Sequence, residues 1–436
     1  WLTNFLETYL SAQIWKTSTI ATIAGVYRNI LKHFAKETGS PMEFVNWQAH
    51  DFSNRGMSGM MDAARHGIGH LVSFTGTDTI QANEYIDYAY RGAETFVSGS
   101  VPATEHSVMT LDGIEGEFEL FKRLITQVVP TGIVSLVADG FDYWKALTEF
   151  LPALKDDILA RKPDAMGFAK VVIRPDSGDP VDIVCGTSTE VYATIEEAID
   201  VINELHMEQA SEDCEGSHCI GMEQYVTVAK VGEAYYEFTT PMEYSRHDKT
   251  YYYVDNYGAA GKTTYKQIEA TPEIKGSIEV LWEIFGGTKT ETGHKLLDSH
   301  IGLIYGDSIT LDRAYQILSR LSKKGFASAN VVFGVGSYSY QVISRDTFGT
   351  AMKATWAQVN GQPRNIFKDP KTGDGLKKSA KGLLRVFKEG NDYVLLDQQE
   401  NVTLSELECV YHNGFAGEED SIAEIRLRSD PEFTLG

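Results

Sequence analysis

Short apolar, β-branched runs alternate with amphipathic helical patterns along most of the chain. Residues 133–137, 171–173 and 331–333 each indicate a buried strand, because a short apolar run is bounded by turn residues. Before the last of these strands, Thr310 and Gly325 enclose an apolar stripe at helical spacing, which predicts a helix with an N-cap and a glycine stop. This strand–helix–strand order predicts a parallel sheet in an α/β fold.

The same reasoning gives further elements. Residues 1–37 show helical spacing interrupted by a Thr/Ser break, and residues 57–72, 143–154 and 277–285 predict three more helices. Residues 71–74 are a short strand candidate followed by a turn.

Residues 182–276 break this rhythm. After a predicted helix at 195–205, Tyr- and Val-rich runs separated by turn residues are typical of antiparallel strands; the runs are 225–230, 234–239, 250–254 and 263–268. The segment carries 18 acidic and 6 basic residues, a net charge of −12. We interpret it as an acidic, β-rich insertion.

Composition and charge narrow the class of protein. A chain of 436 residues with 42% hydrophobic content supports two or three domains, and a net charge of −22 argues against a nucleic-acid binder. Residues 345–388 nevertheless hold 10 basic and 3 acidic residues, a net +7. This basic segment fits a small polyanionic substrate, and a solvated surface run is the alternative.

The four cysteines do not suggest a disulfide scaffold, and no apolar run approaches the roughly 18 residues of a membrane span, so we expect a cytoplasmic protein with no membrane contact. Cys214, His218 and Cys219 are spaced poorly for zinc, which predicts no metal centre there. Because the first residue is Trp and not Met, we expect a further segment before it.

Three segments end a strand-like run with groups suited to a phosphorylated sugar. They are Val-Val-Ile-Arg-Pro-Asp-Ser-Gly (171–178), Ile-Tyr-Gly-Asp-Ser (304–308) and Val-Val-Phe-Gly-Val-Gly-Ser (331–337). In a parallel α/β barrel such strand ends meet on one face, where catalytic loops gather. Glycine lets backbone N–H groups approach phosphate, and carboxylates can hold ribose hydroxyls or a metal. The sequence therefore predicts an enzyme for a phosphorylated sugar, although plain turn geometry also accounts for the glycines.

A second informative segment is Ser-Val-Pro-Ala-Thr-Glu-His-Ser at 100–107. An imidazole beside a carboxylate and hydroxyls can act as an acid, a base, a metal ligand or a nucleophile, and a purely structural histidine is the alternative. Asp142 lies just beyond the strand at 133–137, so it can orient His106 if the two strand ends are adjacent.

Five motifs in a single order give the chain a family resemblance. It resembles the nicotinate/nicotinamide phosphoribosyltransferase family over its whole length except roughly 182–276, and the opening residues 1–8 also look like a family segment. The motifs are Asp-Phe-Ser-Asn-Arg-Gly (51–56), Phe-Thr-Gly-Thr-Asp-Thr (74–79), the segment 100–107, Ile-Arg-Pro-Asp-Ser-Gly-Asp-Pro (173–180) and Asn-Ile-Phe-Lys-Asp-Pro (365–370).

The resemblance implies an irregular (β/α) barrel-like catalytic domain and a second α+β domain. We assign 51–181 and 277–345 to the barrel, 1–50 and 346–436 to the second domain, and 182–276 to the insertion. It further implies a homodimer with the active site at the interface, where an aromatic residue from the preceding segment of the partner completes the base site.

The resemblance also implies roles at the base site. Nicotinamide would stack on Phe52, with Arg174 lining the same pocket. Asp78 would accept a hydrogen bond from the carboxamide and repel anionic nicotinate, which favours the amide over the acid.

Further implied roles concern phosphate and ribose. Arg55 and Arg345 would hold phosphate, Asp176 and Asp307 would bind ribose hydroxyls or the metal region, and Gly336 and Ser337 would offer backbone N–H groups to the 5′-phosphate.

ATP enters through the histidine in this family. His106 would be phosphorylated by ATP, Asp142 would orient its imidazole, and Lys353 and Lys368 would handle the phosphates of ATP and pyrophosphate. Asp176 would complete the catalytic set with His106 and Asp142, and Mg²⁺ would neutralise the leaving pyrophosphate.

The implied activity is transfer of phosphoribose from phosphoribosyl pyrophosphate to nicotinamide, giving nicotinamide mononucleotide. The alternatives are a nicotinate-using enzyme and a non-catalytic nucleotide-binding homologue. Two departures from the family pattern are Ala138, where the animal enzymes have Ser, and the run 337–340, which replaces further glycines. Without the resemblance, an acidic barrel glycosidase would be the fallback, but it explains neither Arg174 nor the basic segment.

Overall fold

The structure, a computed structural model, describes residues 2–90, 96–214, 221–244, 251–253, 262–368, 379–390, 392–400 and 402–434. In chain order its α-helices are α1 (Leu2–Thr38), α2 (Met60–Leu71), α3 (Ile80–Ala89), α4 (His106–Met109), α5 (Gly113–Arg123), α6 (Tyr143–Lys145), α7 (Leu151–Ala153), α8 (Lys155–Leu159), α9 (Pro180–Cys185), α10 (Ile195–Cys214), α11 (Pro272–Lys275), α12 (Ser277–Phe285), α13 (Leu311–Lys323), α14 (Ser337–Tyr340) and α15 (Ile422–Ser429).

The strands, again in chain order, are β1 (Ala49–Asp51), β2 (Gly76–Thr77), β3 (Val134–Val137), β4 (Val171–Arg174), β5 (Glu190–Tyr192), β6 (Gly221–Val231), β7 (Ala234–Tyr244), β8 (Tyr251–Tyr253), β9 (Thr264–Ile268), β10 (Gly287–Lys289), β11 (Lys295–Leu297), β12 (Ile301–Tyr305), β13 (Val331–Val335), β14 (Trp356–Val359), β15 (Gln362–Asn365), β16 (Arg385–Glu389), β17 (Asp392–Leu396), β18 (Tyr411–His412) and β19 (Phe415–Ala416).

Six of these strands form one parallel sheet in the order β2-β1-β13-β12-β4-β3. Central strands β12 and β13 are mainly Val, Ile, Leu, Phe and Gly, and β12 is buried throughout, as expected for parallel strands covered on both faces. The parallel sheet predicted from the sequence, and with it the fold class, is confirmed.

Residues 99–104 bring the two edges of this sheet together. On one side Gly99 N donates to Thr75 O (2.9 Å) and Gly99 O accepts from Thr77 N (3.1 Å). On the other side Thr104 N donates to Ser135 O and Ser135 N donates to Pro102 O, both at 2.9 Å. The segment thus closes the sheet into an irregular barrel in which every strand edge is paired.

The best helix of the sequence forms as predicted. The Thr310 hydroxyl accepts from Arg313 N (3.1 Å) at the start of α13, and Gly325 follows its end with φ of +78°. Its buried face, which includes Ile317 and Leu318, packs with α1 against the outside of the barrel in the main hydrophobic core.

Three predicted elements differ from the structure. Residues 71–74 are not a strand, since Leu71 ends α2 and the nearby strand is β2. The two short strands β1 and β2 are polar in part, so no apolar run marks them. The helix predicted at 143–154 is divided into α6, a wide π-type turn at Ala146–Phe150 and α7, and the chain at 1–37 forms one unbroken helix, α1, across the Thr/Ser break.

The insertion forms its own five-stranded sheet from β5 to β9 against helix α10. A buried polar cluster anchors it to the barrel: Glu279 on α12 accepts from Lys230 (2.5 Å) and Tyr235 (2.6 Å), and Lys324 lies 3.2 Å from the same carboxylate. Burial alone would raise the pKa of Glu279, but the two lysines lower it below its usual value. The antiparallel strands predicted here are confirmed.

Helix α1 and the residues in and after α15 meet beside the segment that leads into β2. Arg28 on α1 pairs with Asp430 (2.6 Å), and Arg426 on α15 is 1% exposed. The Arg426 guanidinium donates to the carbonyls of Leu71, Phe74, Phe96 and Val97. It therefore fixes the segments that lead into β2 and into residues 99–104.

In the described part of the chain, no helix combines the length and apolar character needed to cross a bilayer. The cysteine–histidine cluster considered in the sequence lies outside the described residues at His218 and Cys219, and nothing is described of the Cys214 side chain.

Candidate active site

The carboxyl ends of the barrel strands gather most of the residues singled out in the sequence, together with Asp139, which was not among them. Because the strands are parallel and closed by residues 99–104, these ends share one mouth. The residues that follow them are Phe52 after β1, Asp78 after β2, His106 after residues 99–104, Asp139 after β3, Asp176 after β4, Asp307 after β12 and Gly336 after β13.

Phe52 lies across two glycines of neighbouring strands. A Cβ atom on Gly306 would come within 2.8 Å of the Phe52 ring, and one on Gly334 within 2.3 Å. Glycine is thus required at both positions, because the Phe52 ring packs directly against the backbone of the two strand ends. The Arg174 guanidinium carbon lies 5.9 Å from the ring centroid, so the aromatic face and the cation predicted for the base pocket are adjacent.

Arg174 is only partly satisfied by the protein. Its Nη2 donates to Thr104 O (2.7 Å), whereas its Nε is buried without a hydrogen-bond partner among the described residues. Burial lowers the pKa of the guanidinium, and the carboxylates of Asp176 and Asp78 offset part of that effect. An unpaired buried donor is costly, so a ligand acceptor at this point would stabilise the site.

Asp78 is held by two side chains that the sequence analysis did not assign to it. His50 Nε2 lies 2.8 Å from Asp78 Oδ1, and Ser100 Oγ donates to the same oxygen at 2.5 Å. Burial would raise the pKa of Asp78, but the His50 hydrogen bond, reinforced by Ser100 and Arg174, lowers it below its usual value. The carboxylate is therefore ionised at neutral pH, and its second oxygen has no bond to these two side chains.

His50 is itself fixed by the barrel. It pairs in register with Gly76 of β2, and a Cβ on Gly76 would lie 2.6 Å from His50 Nδ1. Its ring also packs edge-on against Phe52, with centroids 5.2 Å apart. The strand alternation that puts His50 and Phe52 on one face of β1 is the signal that could have identified this histidine.

The carboxylate beside His106 differs from the one predicted. His106 Nε2 lies 3.3 Å from Asp139 Oδ1, whereas Asp142 is exposed and caps α6 by accepting from Lys145 N (3.0 Å). Asp142 lies three residues beyond Asp139, at the N-cap position where α6 begins. Its position just before a helix predicts a capping role equally well.

The proposed phosphate residues Arg55, Gly336 and Ser337 lie together on one side of the mouth. A Cβ on Gly56 would come within 2.1 Å of Ser337 Oγ, so the short turn that carries Arg55 is in contact with the start of α14. Below it, Tyr340 OH lies 2.8 Å from His70 Nδ1, and His70 Nε2 lies 3.0 Å from Gly76 O. These hydrogen bonds connect α14 to β2, the strand that leads to Asp78.

The basic residues of the 345–388 segment are more dispersed. Arg345 is exposed, pairs with Asp346 (2.7 Å) and lines a shallow recess with residues of α1 such as Trp15. Lys353 pairs with Glu7 of α1 at 3.0 Å, and Lys368 is exposed. The structure therefore places these side chains along α1 and the hairpins and does not bring them into the contacts made by Phe52 and Asp78.

Carboxylates are concentrated around the remaining part of the mouth. Burial raises the pKa of the Tyr305 hydroxyl, and the charges of Asp307, Asp176 and Asp139 raise it further. Tyr305 OH donates to the carbonyls of Ser177 (3.1 Å) and Gly178 (2.9 Å), which fixes the loop after β4. No group of three metal-ligating side chains is preassembled among the described residues.

An α/β-barrel whose mouth combines an aromatic platform, a paired carboxylate, arginines and glycine-rich strand ends has the features of a phosphoribosyltransferase. The family model described as the nicotinate phosphoribosyltransferase (NAPRTase) family matches residues 47–212 and 246–415. The chain belongs to this family of enzymes.

Relatives named nicotinamide phosphoribosyltransferase are similar along most of the chain. The protein from Acinetobacter baylyi is 45% identical over 98% of this chain and 70% of its own length. Two others are more distant. The protein from Mycoplasma pneumoniae is 32% identical over 88% of this chain and 63% of its own length. The protein from Xanthomonas campestris pv. campestris is 28% identical over 99% of this chain and 72% of its own length. The Acinetobacter alignment covers nearly the whole chain, so it extends through the 182–276 segment that the resemblance from motifs left out.

Proposed function

We propose that the protein transfers the 5-phosphoribosyl group of phosphoribosyl pyrophosphate to nicotinamide, forming nicotinamide mononucleotide and pyrophosphate in the salvage of NAD. The observation that carries this choice is the ionised Asp78, held by His50 and Ser100 beside Phe52 and Arg174. A fixed carboxylate can accept a hydrogen bond from a carboxamide and repels a carboxylate. The names of the similar proteins support the same base.

The transfer step follows from the charges around the mouth. The pyridine nitrogen attacks the anomeric carbon while the bond to pyrophosphate breaks, so positive charge develops on the ribose ring. Asp176 after β4 and Asp307 after β12 would stabilise that charge and hold ribose hydroxyls, and the turn with Arg55 and Ser337 would hold the 5′-phosphate. Asp176 and Asp307 also offer the oxygen ligands that suit Mg²⁺, which would enter with phosphoribosyl pyrophosphate and neutralise the charge of the leaving pyrophosphate.

ATP would act through His106, whose side chain is 43% exposed at the mouth. Phosphorylation there would place negative charge beside the substrate and couple ATP hydrolysis to turnover, and Lys353 and Lys368 would receive phosphate groups of ATP and pyrophosphate. We further expect a cytoplasmic homodimer, in which the partner completes the base site.

The test is product formation by the full-length protein with nicotinamide or nicotinate, phosphoribosyl pyrophosphate and Mg²⁺, with and without ATP. Nicotinamide mononucleotide formed selectively, and faster with ATP, is the expected result. Product from nicotinate alone would overturn the assignment of the base, an ATP-independent rate would overturn the coupling, and binding without product would favour a non-catalytic homologue.

A further inference from the structure

Two buried hydrogen bonds in series connect the turn α14 to strand β2. Tyr340, the last residue of α14, places its hydroxyl 2.8 Å from His70 Nδ1. His70 Nε2 in turn lies 3.0 Å from the carbonyl oxygen of Gly76, the first residue of β2. Tyr340 is 1% exposed and His70 is 0% exposed, so water does not compete for either contact.

The direction of both hydrogen bonds follows from the chemistry of the partners. A carbonyl oxygen can only accept, so His70 Nε2 carries the proton that is donated to Gly76 O. Burial lowers the pKa of His70 well below its ordinary value, which keeps the ring neutral at pH 7. In this tautomer Nδ1 holds a lone pair and accepts from the Tyr340 hydroxyl, whose own pKa is raised by burial. A single tautomer of His70 therefore serves both contacts.

The two ends of this connection belong to opposite ends of the proposed substrate site. Helix α14 begins at Ser337, which would offer its backbone N–H to the 5′-phosphate, and Gly76 lies two residues before Asp78. Gly76 also pairs in register with His50, which holds the Asp78 carboxylate. The position of β2 therefore sets the distance between the imidazole of His50 and the carboxylate of Asp78.

We propose that Tyr340 and His70 are positioning residues that couple the 5′-phosphate end of the site to the base end. The inference rests on the proposed function and deepens it. A phosphate bound at the start of α14 fixes the turn, and the contacts of Tyr340 and His70 then hold β2 and Asp78 in the geometry that receives nicotinamide. Because such coupling is reciprocal, bound nicotinamide strengthens the binding of the phosphate by the same factor.

Tyr27 on α1 offers a matched comparison at the same turn. It is also fully buried, and its hydroxyl lies 3.1 Å from Ser339 Oγ and 3.2 Å from Ile309 O. These contacts join α14 to α1 and to the loop after β12, whereas those of Tyr340 lead to β2. Tyr27→Phe and Tyr340→Phe therefore each remove one buried hydroxyl group that holds α14, and the second alone removes the contact with His70.

The experiment uses calorimetry with two ligands that do not react with each other, nicotinamide and ribose 5-phosphate. The Kd of nicotinamide is measured without and with saturating ribose 5-phosphate, and the ratio of the two values is the coupling factor. It is determined for the full-length wild-type protein, Tyr340→Phe and Tyr27→Phe. Direct contacts between the ligands contribute equally in all three proteins, so the differences in the factor report coupling through the protein.

Tyr340→Phe should reduce the coupling factor about 3- to 10-fold, which is the effect of one buried hydrogen bond. Tyr27→Phe should weaken the binding of ribose 5-phosphate about 3-fold and change the coupling factor less than about 1.5-fold. An unchanged factor in Tyr340→Phe, or an equal loss in both variants, would overturn the inference. A lower melting temperature of Tyr340→Phe with its coupling intact would assign the contact to stability alone and would also overturn it.

Amide hydrogen exchange tests the connection without a ligand and separates it from the proposed function. The N–H groups of Thr77 and Asp78 donate to Gly99 O and Asp51 O. Tyr340→Phe should speed their exchange about 3- to 10-fold, and Tyr27→Phe should not. Equal exchange in the two variants would contradict the connection. Faster exchange in Tyr340→Phe alone, in a protein whose wild type binds neither ligand, would retain the connection and overturn the substrates.

A measurement on the wild-type protein covers the case in which Tyr340→Phe does not fold. Saturating ribose 5-phosphate should slow the exchange of the Thr77 and Asp78 N–H groups about 3-fold or more. Unchanged exchange in the presence of bound ribose 5-phosphate would overturn the inference.

Discussion

The two ends of the proposed substrate site are built in different ways. At the base end, His50, Asp78 and Ser100 are joined by hydrogen bonds of 2.5 and 2.8 Å and sit on adjoining barrel strands. At the basic end, Arg345 and Lys353 are exposed and pair with carboxylates of their own chain, outside the barrel. The first arrangement exists before any ligand binds, whereas the second depends on loops and on weak surface pairs.

This difference has an energetic meaning. A site on paired strands loses little conformational freedom on binding, so most of its interaction energy appears as selectivity. Exposed ion pairs contribute about 0–1 kcal/mol, and they are easily exchanged for pairs with phosphate. The base end should therefore decide which substrate is used, and the basic end should adjust how tightly the phosphates are held.

Asp78→Ser tests the base end most directly and should have the largest effect. Loss of a charged hydrogen bond is worth about 1.5–3 kcal/mol, so the preference for nicotinamide over nicotinate in kcat/KM should fall roughly 10- to 100-fold. Both substrates should contribute to this loss of selectivity. Nicotinamide loses a hydrogen-bond acceptor and should react less well, whereas nicotinate is no longer repelled and should react better. Steady-state kinetics with the two bases measures it.

Asp87→Ser, an exposed change on α3, serves as the matched control for the loss of one negative charge near this segment. Unaltered selectivity in Asp78→Ser would remove this carboxylate from base recognition. Equal falls in both variants would assign the effect to overall charge.

His50→Leu should have the next largest effect, because it removes the donor that holds Asp78 while keeping similar volume. We expect about a 10-fold rise in the KM for nicotinamide with the KM for phosphoribosyl pyrophosphate nearly constant. His50→Gln keeps an N–H near the position of Nε2 and should recover most of the loss. A Gln variant as poor as the Leu variant would mean that the imidazole contributes packing against Phe52 and not the hydrogen bond.

Arg345→Ala tests the basic end and should have a smaller effect. If the Arg345 guanidinium leaves Asp346 and binds a substrate phosphate, the KM of the Ala variant for phosphoribosyl pyrophosphate should be about 3- to 5-fold higher. The difference should be smaller at high salt, because ions screen the exposed charges. The selectivity between bases should not change. Lys266→Ala removes one exposed positive charge in the insertion, where Lys266 pairs with Glu237, and is the control for net charge. An equal rise in both variants would argue against a direct contact of Arg345 with the substrate.

The sequence predicted the parts of the fold that depend on local patterns. The α13 helix with its Thr310 cap, the strand at 331–335 and the antiparallel strands of the insertion all have strong periodicity or clear turn residues. Strand β2 is two residues long and begins at Gly76, and it exists only because parallel neighbours pair with it. No local sequence pattern predicts such a strand.

The candidate site shows the same division. Phe52, Arg174 and Asp78 belong to motifs with several distinctive residues, and the structure brings them together. His50 could have been found from its strand alternation with Phe52. Ser100 and Asp139 act through contacts between segments that are distant in sequence, so spacing alone could not assign their partners. The carboxylate beside His106 in the structure is that of Asp139 and not of Asp142, since about one turn of chain decides which of the two faces the histidine.

The pH dependence of selectivity should show the smallest effect of all. The pKa of Asp78 is lowered in the folded protein, so the carboxylate stays ionised at and above its usual pKa and is protonated only as the pH falls through the lower value. Between about pH 6 and pH 8 its charge is constant, and the nicotinamide-to-nicotinate ratio of kcat/KM should change less than about 2-fold. Total rates can vary over this range, because groups that act in the transfer step affect both bases equally. A ratio that falls steadily toward pH 6 would show that Asp78 takes up a proton there, and the base end would then be less firmly preorganised than its contacts with His50 and Ser100 imply.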